Sequence, residues 1–348
     1  MFNVIHKDTM KKTSLKDIAQ RLNCSLITVS RALNGREDDP HVSPELRKKI
    51  RETAEELHYV QSRSARTLRL GKSKSIGLVS TCLCGHFHSC NIDAFFKESL
   101  KRGYQFKIVL TKYDKKQEEN ALKELLQEQP DGILYQPFMD CGTPVSRYLE
   151  KQKFPMLLLG GASQKNHFNA IEFDQESFWD DVFQTFVERG HKEVAVQAEL
   201  SDEMIHFYSK KYDLSLERML QKGATRKMLD ENHEYMCRKK VKALVSMHSQ
   251  DTQAYFNYLQ QRRLPCPDAI GVYGIPGELL LHENYLGAVV SDLHEYVELC
   301  FDKLISAINS PDNAPQTYVL PRHFLPAEKL LKLQKQQMED PWYALYTT

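Results

Sequence analysis

Apolar residues in the first sixty positions recur three and four apart, the spacing of a helix with one buried face. Leu15, Ile18, Ala19 and Leu22 share one such face, and Ser14-x-x-Asp17 ahead of them is a capping-box pattern. Asn23 suits a left-handed helix end. Ser25 then caps a second helix, Leu26–Asn34. Within it Val29, Ala32 and Leu33 can face the first helix, while Leu26, Ile27, Ser30 and Arg31 point elsewhere. Ser43-Pro44 opens a third helix with the stripe Leu46, Ile50, Ala54 and Leu57. Two short helices joined by a three-residue turn form a helix-turn-helix.

From Ser75 the period changes. Apolar runs of strand length stand at 76–80, 106–110, 132–135, 156–159, 194–196, 243–246, 269–273 and 288–290. Amphipathic segments lie between them, among them 90–102, 115–128, 175–189, 251–263 and 293–309. Strand and helix in alternation predict an α/β body with doubly wound parallel sheets. Such sheets bind ligands at the carboxyl ends of their strands. The expected organisation is an all-α head over 1–60, a linker over 61–74, the α/β core over 75–325 and a tail over 326–348.

Composition narrows the class. The chain has 348 residues, 41% hydrophobic and 27% charged, with no run near the ~20 apolar residues of a membrane span. The opening MFNVIHKDTMKK lacks the apolar centre of a signal peptide. Eight cysteines without a tight framework fit a reducing cytoplasm, the expected location. A net charge of +1 conceals an asymmetry: residues 1–75 hold 16 Lys and Arg against 9 Asp and Glu, which leaves −6 for the rest. A basic head on an acidic body suggests a polyanionic partner. No GxSxG, HExxH, Walker A or GxGxxG motif stands in a fitting context, so neither an enzyme nor a cofactor is expected. A transport receptor would suit the body but would carry no helix-turn-helix.

The runs SLKDIAQRLNCSLITVSRALNG, VSPELRKKIRETAEELHYV and SARTLRLGKSKSIGLV resemble the DNA-binding head of the lac/gal repressor family in dense register over residues 14–79. The resemblance implies a transcription regulator with a helix-turn-helix head, a hinge helix and a two-lobed, periplasmic-binding-protein-like core. It implies double-stranded DNA as partner, a homodimer on a pseudo-palindromic operator, a small-molecule effector in the cleft between the lobes, and no membrane. The second helix would lie in the major groove. Leu26 and Ile27 take base-reading positions; being apolar they can only press on thymine methyls or exclude other edges. Arg31 is the candidate polar contact, and Ser25, Thr28, Ser30 and Asn34 can hold phosphates. The family register extends DNA contact to Ser14, Leu15, Ser43 and Tyr59, and through the hinge to Ser62, Arg63, Ala65 and Leu68. Leu68 takes the place of the leucine wedged into the minor groove. Two departures stand out: Gln61-Ser62 replaces the family's Pro-Asn, and the loop Gly35–His41 is about three residues longer than usual. Repression is the expected sign, since a clamp blocks polymerase by occupancy. Activation, or an effector-independent regulator with a decayed cleft, are the alternatives.

The run TCLCGHFHSC raises a separate question. Cys82, Cys84, His86, His88 and Cys90 recur at every second position, and all are zinc-ligand types. The spacing lacks the paired C-x-x-C of structural zinc sites, and a helix expected near Cys90 would break the alternation. A Cys82–Cys84 redox pair is a further alternative. By resemblance the stretch is the cleft mouth, with Phe87 as a stacking surface and His86 or His88 as polar contacts. Asp174, Phe207 and His248 complete the candidate effector set. Several polar groups that sugar-binding relatives use are absent: Met204–Tyr208 holds no arginine, His248-Ser249 replaces an Asn-Asp pair, Ile275-Pro276 follows Gly274 where an aspartate is common, and Gly160-Gly161 stands where an acidic residue is common. That pattern points to a ligand other than a hexose, to none, or to a metal or redox signal.

Overall fold

The computed structural model describes residues 13–34, 39–59, 71–83, 86–112, 114–137, 142–160, 168–174, 176–197, 200–219, 226–246, 249–272, 284–330 and 332. Expectations for 35–38, for the hinge residues Ser62, Arg63, Ala65 and Leu68, for Cys84 and His248, and for the tail from 333 lie outside the described residues. Contacts divide the chain into residues 1–73 and 74–348.

The first unit is the three-helix head. α1 (Leu15–Arg21) opens on the expected capping box: the Ser14 hydroxyl accepts from the Asp17 amide, and the Asp17 carboxylate accepts from the Ser14 amide at 2.7 Å. Asn23 holds φ +49°, the left-handed turn out of α1. α2 (Leu26–Asn34) and α3 (Pro44–Glu56) follow, the latter capped by Ser43 with Pro44 at its first position. Ile18, Val29 and Ile50 are fully buried and meet at the centre, with Ala19, Ala32, Val42 and Ala54 around them. The Thr13 hydroxyl donates to the Leu57 carbonyl at 2.7 Å and ties the start of α1 to the end of α3.

The second unit holds two six-stranded sheets. In the first lobe β1 (Ser75–Ser80), β2 (Gln105–Leu110), β3 (Gly132–Tyr135), β4 (Met156–Leu159), β5 (Asn169–Phe173) and β11 (Thr317–Leu320) run in the order β11-β5-β4-β3-β1-β2, all parallel. In the second, β6 (Glu193–Gln197), β7 (Ser215–Arg218), β8 (Ala243–Ser246), β9 (Asp268–Val272), β10 (Tyr285–Val290) and β12 (His323–Pro326) run in the order β12-β10-β9-β8-β6-β7, with β12 antiparallel. The two orders match position by position. Helices α4 (His86–Lys101), α5 (Lys115–Gln127), α6 (Pro144–Lys151), α7 (Trp179–Glu188), α8 (Asp202–Tyr212), α9 (Arg226–Lys239), α10 (Ser249–Gln261) and α11 (Leu293–Asn309) cover the faces. Each sheet is packed on both faces, as parallel sheets require.

Two expectations are revised. α4 begins at His86, not near Cys90, so the every-second-residue run is wound into helix from its third member onward. Four strands were not foreseen: β5, β7, β11 and β12. Three of them, β7, β11 and β12, are sheet edges, where only one neighbour has to be satisfied and the strand stays largely exposed or half-buried. At the chain's far end Leu330 is buried in the second lobe's core, so the segment after β12 packs on the body.

β10 and β12 approach closely at Gly287. A Cβ there would sit 2.6 Å from the Leu325 carbonyl oxygen and 2.6 Å from Phe324 Cζ. Gly287→Ala should therefore destabilise the core by about 1–3 kcal/mol through overpacking against backbone. Urea denaturation of the full chain checks this; an unchanged midpoint means that the two strands can part without cost.

Candidate nucleic-acid interface and ligand cleft

α2 is too short to be stable alone and is held by one face. Val29 and Ala32 bury that face, which turns the first turn outward: Leu26 is 50% exposed and Ile27 65%. Ser25 Oγ accepts from the Thr28 amide at 3.0 Å and lies 2.8 Å from Thr28 Oγ1, so the two hydroxyls stand together at the helix start. Arg31, one turn beyond Ile27, is exposed, and Ser30 is half-buried. The structure thus places Ser25, Leu26, Ile27 and Thr28 at the start of one helix and Arg31 in its last turn. Ser14 and Ser43 are exposed caps of α1 and α3. Leu15 and Tyr59 are half-buried and pack on the head core; burial raises the Tyr59 pKa above the ordinary phenol value. Asn34 closes α2.

Sequence reasoning passed over Arg47. It lies in α3 with 5% exposure, and its Nη1 and Nη2 have no hydrogen-bond partner. The signal was faint, because Arg47 sits among Lys48, Lys49 and Arg51 on what reads as a solvated face.

The chain crosses between the lobes at 174–178, 291–292 and 321–322. Each crossing follows the carboxyl end of a strand, β5, β10 or β11. Those ends therefore face one another across the cleft. Polar side chains gather on them. In the first lobe the Ser80 hydroxyl donates to Gln136 Oε1 at 3.0 Å. Thr111 beside it is fully buried with Oγ1 unpartnered, its amide bonded to the Ser80 carbonyl. In the second lobe the Ser246 hydroxyl donates to Gln197 Oε1 at 2.9 Å. The two Ser–Gln pairs occupy matching strands, β1 with β3 and β6 with β8. In each pair the glutamine oxygen is the acceptor. None of these residues was a sequence candidate.

Asp174 stands at the first crossing. It accepts from the Glu176 and Ser177 amides at 2.8 and 3.2 Å, and these bonds, with the attraction of Arg322, hold its carboxyl below the usual range. Arg322, at the third crossing, lies 4.7 Å over the Phe173 ring; burial brings its pKa down to about 10 against the pull of Asp174. Phe207 is exposed on α8, edge-on to Tyr208 at 5.0 Å with Lys211 5.7 Å from its ring. His86, Phe87 and His88 form the first turn of α4, and their side chains lie outside the described residues. Cys82 is buried and Cys90 half-buried. Among the described residues no three His, Cys, Asp or Glu are placed to hold a metal ion.

Residues 14–62 match the bacterial regulatory proteins of the lacI family. Over 202 residues the chain is 27% identical to catabolite control protein A of Priestia megaterium, covering 57% of this chain and 58% of that protein. It is 27% identical over 190 residues to the HTH-type transcriptional repressor PurR of Klebsiella pneumoniae, 53% of each. The matches thus span a little over half the length of these relatives. In fold the chain is similar to the lac repressor dimer bound to operator and the anti-inducer ONPF, with a TM-score of 0.73, 19% identity, and 90% of this chain and 98% of that one covered. No helix among the described residues is long and apolar enough to cross a membrane.

A buried guanidinium without partners costs stability that an apolar side chain of similar length does not. Arg47→Met should raise the stability of the head by about 1–3 kcal/mol. Calorimetry of the full chain reads it as an upward shift of the head's transition; a downward shift overturns it.

Proposed function

We propose that this chain, which residues 14–62 place in the lacI family of bacterial regulatory proteins, represses transcription by occupying a pseudo-palindromic operator as a homodimer. The observation that carries the reading is the exposure of Leu26 and Ile27 at the start of a helix whose other face is fixed in the head core. Large aliphatic side chains turned to water at that point are suited to a groove wall, and thymine methyls are the apolar feature of the major groove. Ser25 and Thr28 at the helix N-terminus suit phosphate oxygens, where the partial positive charge of the helix start assists. Arg31 one turn on adds a polar reader. The repressive sign follows the relatives described as repressors.

Dimerisation supplies the second half-site. Phe96 and Leu100, four apart on α4, are 44% and 56% exposed and form an apolar face suited to a second copy. Leu68, in the hinge, is the proposed minor-groove wedge, with Ser62, Arg63 and Ala65 beside it. The cleft takes a small effector. The Ser80–Gln136 and Ser246–Gln197 pairs place neutral polar groups on both lobes, and the Thr111 hydroxyl lacks a partner that a ligand oxygen could supply.

Selection of binding sites from random duplexes should return pseudo-palindromes with thymines opposite Leu26 and Ile27. Leu26→Ala and Ile27→Ala should each relax the preference at one position by about 1–3 kcal/mol while leaving the salt dependence of binding unchanged. Sites without that preference remove the base-reading role. Leu68→Ala should weaken specific binding far more than nonspecific binding, measured by competition with random-sequence DNA. An equal fall in both excludes the wedge.

A further inference from the structure

The second lobe carries unused chemistry at the amino ends of its strands, the edge remote from the cleft. β6, β8 and β9 start there, and a cavity of about 980 Å3 opens beside them. Its wall includes His233, Cys237, Lys240, Lys242, Tyr255 and Cys266. Cys237 sits in the last turn of α9 and is the exposed cysteine among those described. His233 precedes it by four residues, so the two side chains share a helix face. His233 Nε2 lies 3.5 Å from Cys237 Sγ, and His233 Nδ1 lies 3.2 Å from the Tyr255 hydroxyl. Tyr255 is buried and its pKa is raised, chiefly by desolvation, so it remains a neutral hydroxyl at physiological pH. An Nδ1–H that donates to the Tyr255 oxygen leaves Nε2 to face the thiol. The sequence continues Cys237-Arg238-Lys239-Lys240-Val241-Lys242, and Lys240 and Lys242 make no ion pair among the described residues. Of the other charged groups on the wall, Lys192 lies 2.8 Å from Asp213, His191 lies 2.9 Å from Asp268, and Glu193 makes no ion pair among the described residues. Behind His233, the Tyr258 hydroxyl donates to Asp230.

We propose that Cys237 is a thiol-exchange site for an anionic low-molecular-weight disulfide. His233 Nε2 takes the thiol proton and Cys237 Sγ attacks one sulfur of the disulfide. The sulfur–sulfur bond of the reagent breaks as the Cys237 mixed disulfide forms. The departing thiolate leaves with the bonding electron pair and takes up the proton. Cys237 is oxidised and the departing half is reduced, so no further oxidant is needed. Lys240 and Lys242 receive the carboxylates of the incoming molecule, and the cavity is large enough for a tripeptide.

Full-length protein is incubated with glutathione disulfide and mapped by peptide mass spectrometry over time. The adduct should appear first on Cys237, about tenfold faster than on the same peptide in the urea-unfolded chain. Cys237→Ser removes it. His233→Gln should slow the reaction about tenfold at neutral pH and move its rise with pH to where the same cysteine reacts in the unfolded chain. Tyr255→Phe and the wild-type pH profile serve as second readouts should the His233 variant fail to fold. Lys240→Gln with Lys242→Gln should slow glutathione disulfide but not the cationic disulfide cystamine, which separates steering from mere exposure. First modification at another cysteine, equal rates in folded and unfolded chains, or an unchanged pH profile in the folded His233 variant overturns the proposal.

Discussion

Every passage between the two lobes is made at the carboxyl end of a strand. That single constraint decides where the two lobes can share a ligand. Three crossings at 174–178, 291–292 and 321–322 turn the carboxyl edges of both sheets toward each other, because a chain leaving β5, β10 or β11 reaches the other sheet from there. Strands buried on both faces supply mainly apolar side chains along their length. Polar groups enter at a strand's ends, and those at the last residue or just after it belong to the edge where the lobes are joined. Ser80, Gln136, Gln197 and Ser246 obey that rule, and they fall on equivalent strands of the two lobes.

This also explains what was legible in the sequence. β3, β4 and β8 could be bounded from their apolar runs alone, since an interior parallel strand has no polar face to blur it. β7, written Ser-Leu-Glu-Arg, has no such run, because an edge strand can remain half in water. β5 lies inside its sheet but is written Asn-Ala-Ile-Glu-Phe, with only its middle fully buried. The cleft pairs were visible in principle. SIGLVS, EVAVQ and ALVS each end an apolar run on one polar residue, and in a doubly wound sheet that residue points at a ligand site. A search for conspicuous side chains, histidines and cysteines in particular, passed over quiet serines and glutamines. The alternation from Cys82 to Cys90 drew attention by composition, yet helix geometry from His86 cancels its period. Pairings such as His233 with Tyr255, 22 residues apart, depend on how α9 and α10 pack and leave no trace in local spacing.

In the head the local signals and the packing agree. Capping box, left-handed Asn23, Ser25 cap and Ser43-Pro44 each specify a helix end, and the apolar stripes between them meet at Ile18, Val29 and Ile50. Agreement across levels makes a small domain specify one structure. Arg47 is the exception, a cation carried inside with no hydrogen bond to Nη1 or Nη2 among the described residues.

The apolar reading end of α2 has a consequence for how recognition is shared. A side chain that hydrogen-bonds a base in two places discriminates by the bonds lost on a wrong pair; Leu26 and Ile27 have no such bonds to lose. On the proposed reading they would discriminate only by fit against a methyl group, a weaker and less exclusive signal. A regulator built this way must draw the rest of its specificity from elsewhere. Three sources remain: Arg31 as polar reader, the deformability of the step where Leu68 would enter, and the fixed spacing of two half-sites. The last two exist only for a dimer, since a single wedge and a single head bind with neither register nor spacing to enforce. On this reading the exposed Phe96–Leu100 face of α4 matters to sequence recognition although it lies in the other unit of the chain. Within that proposal, recognition weak at the bases would make the assembly of two copies the step on which operator choice depends.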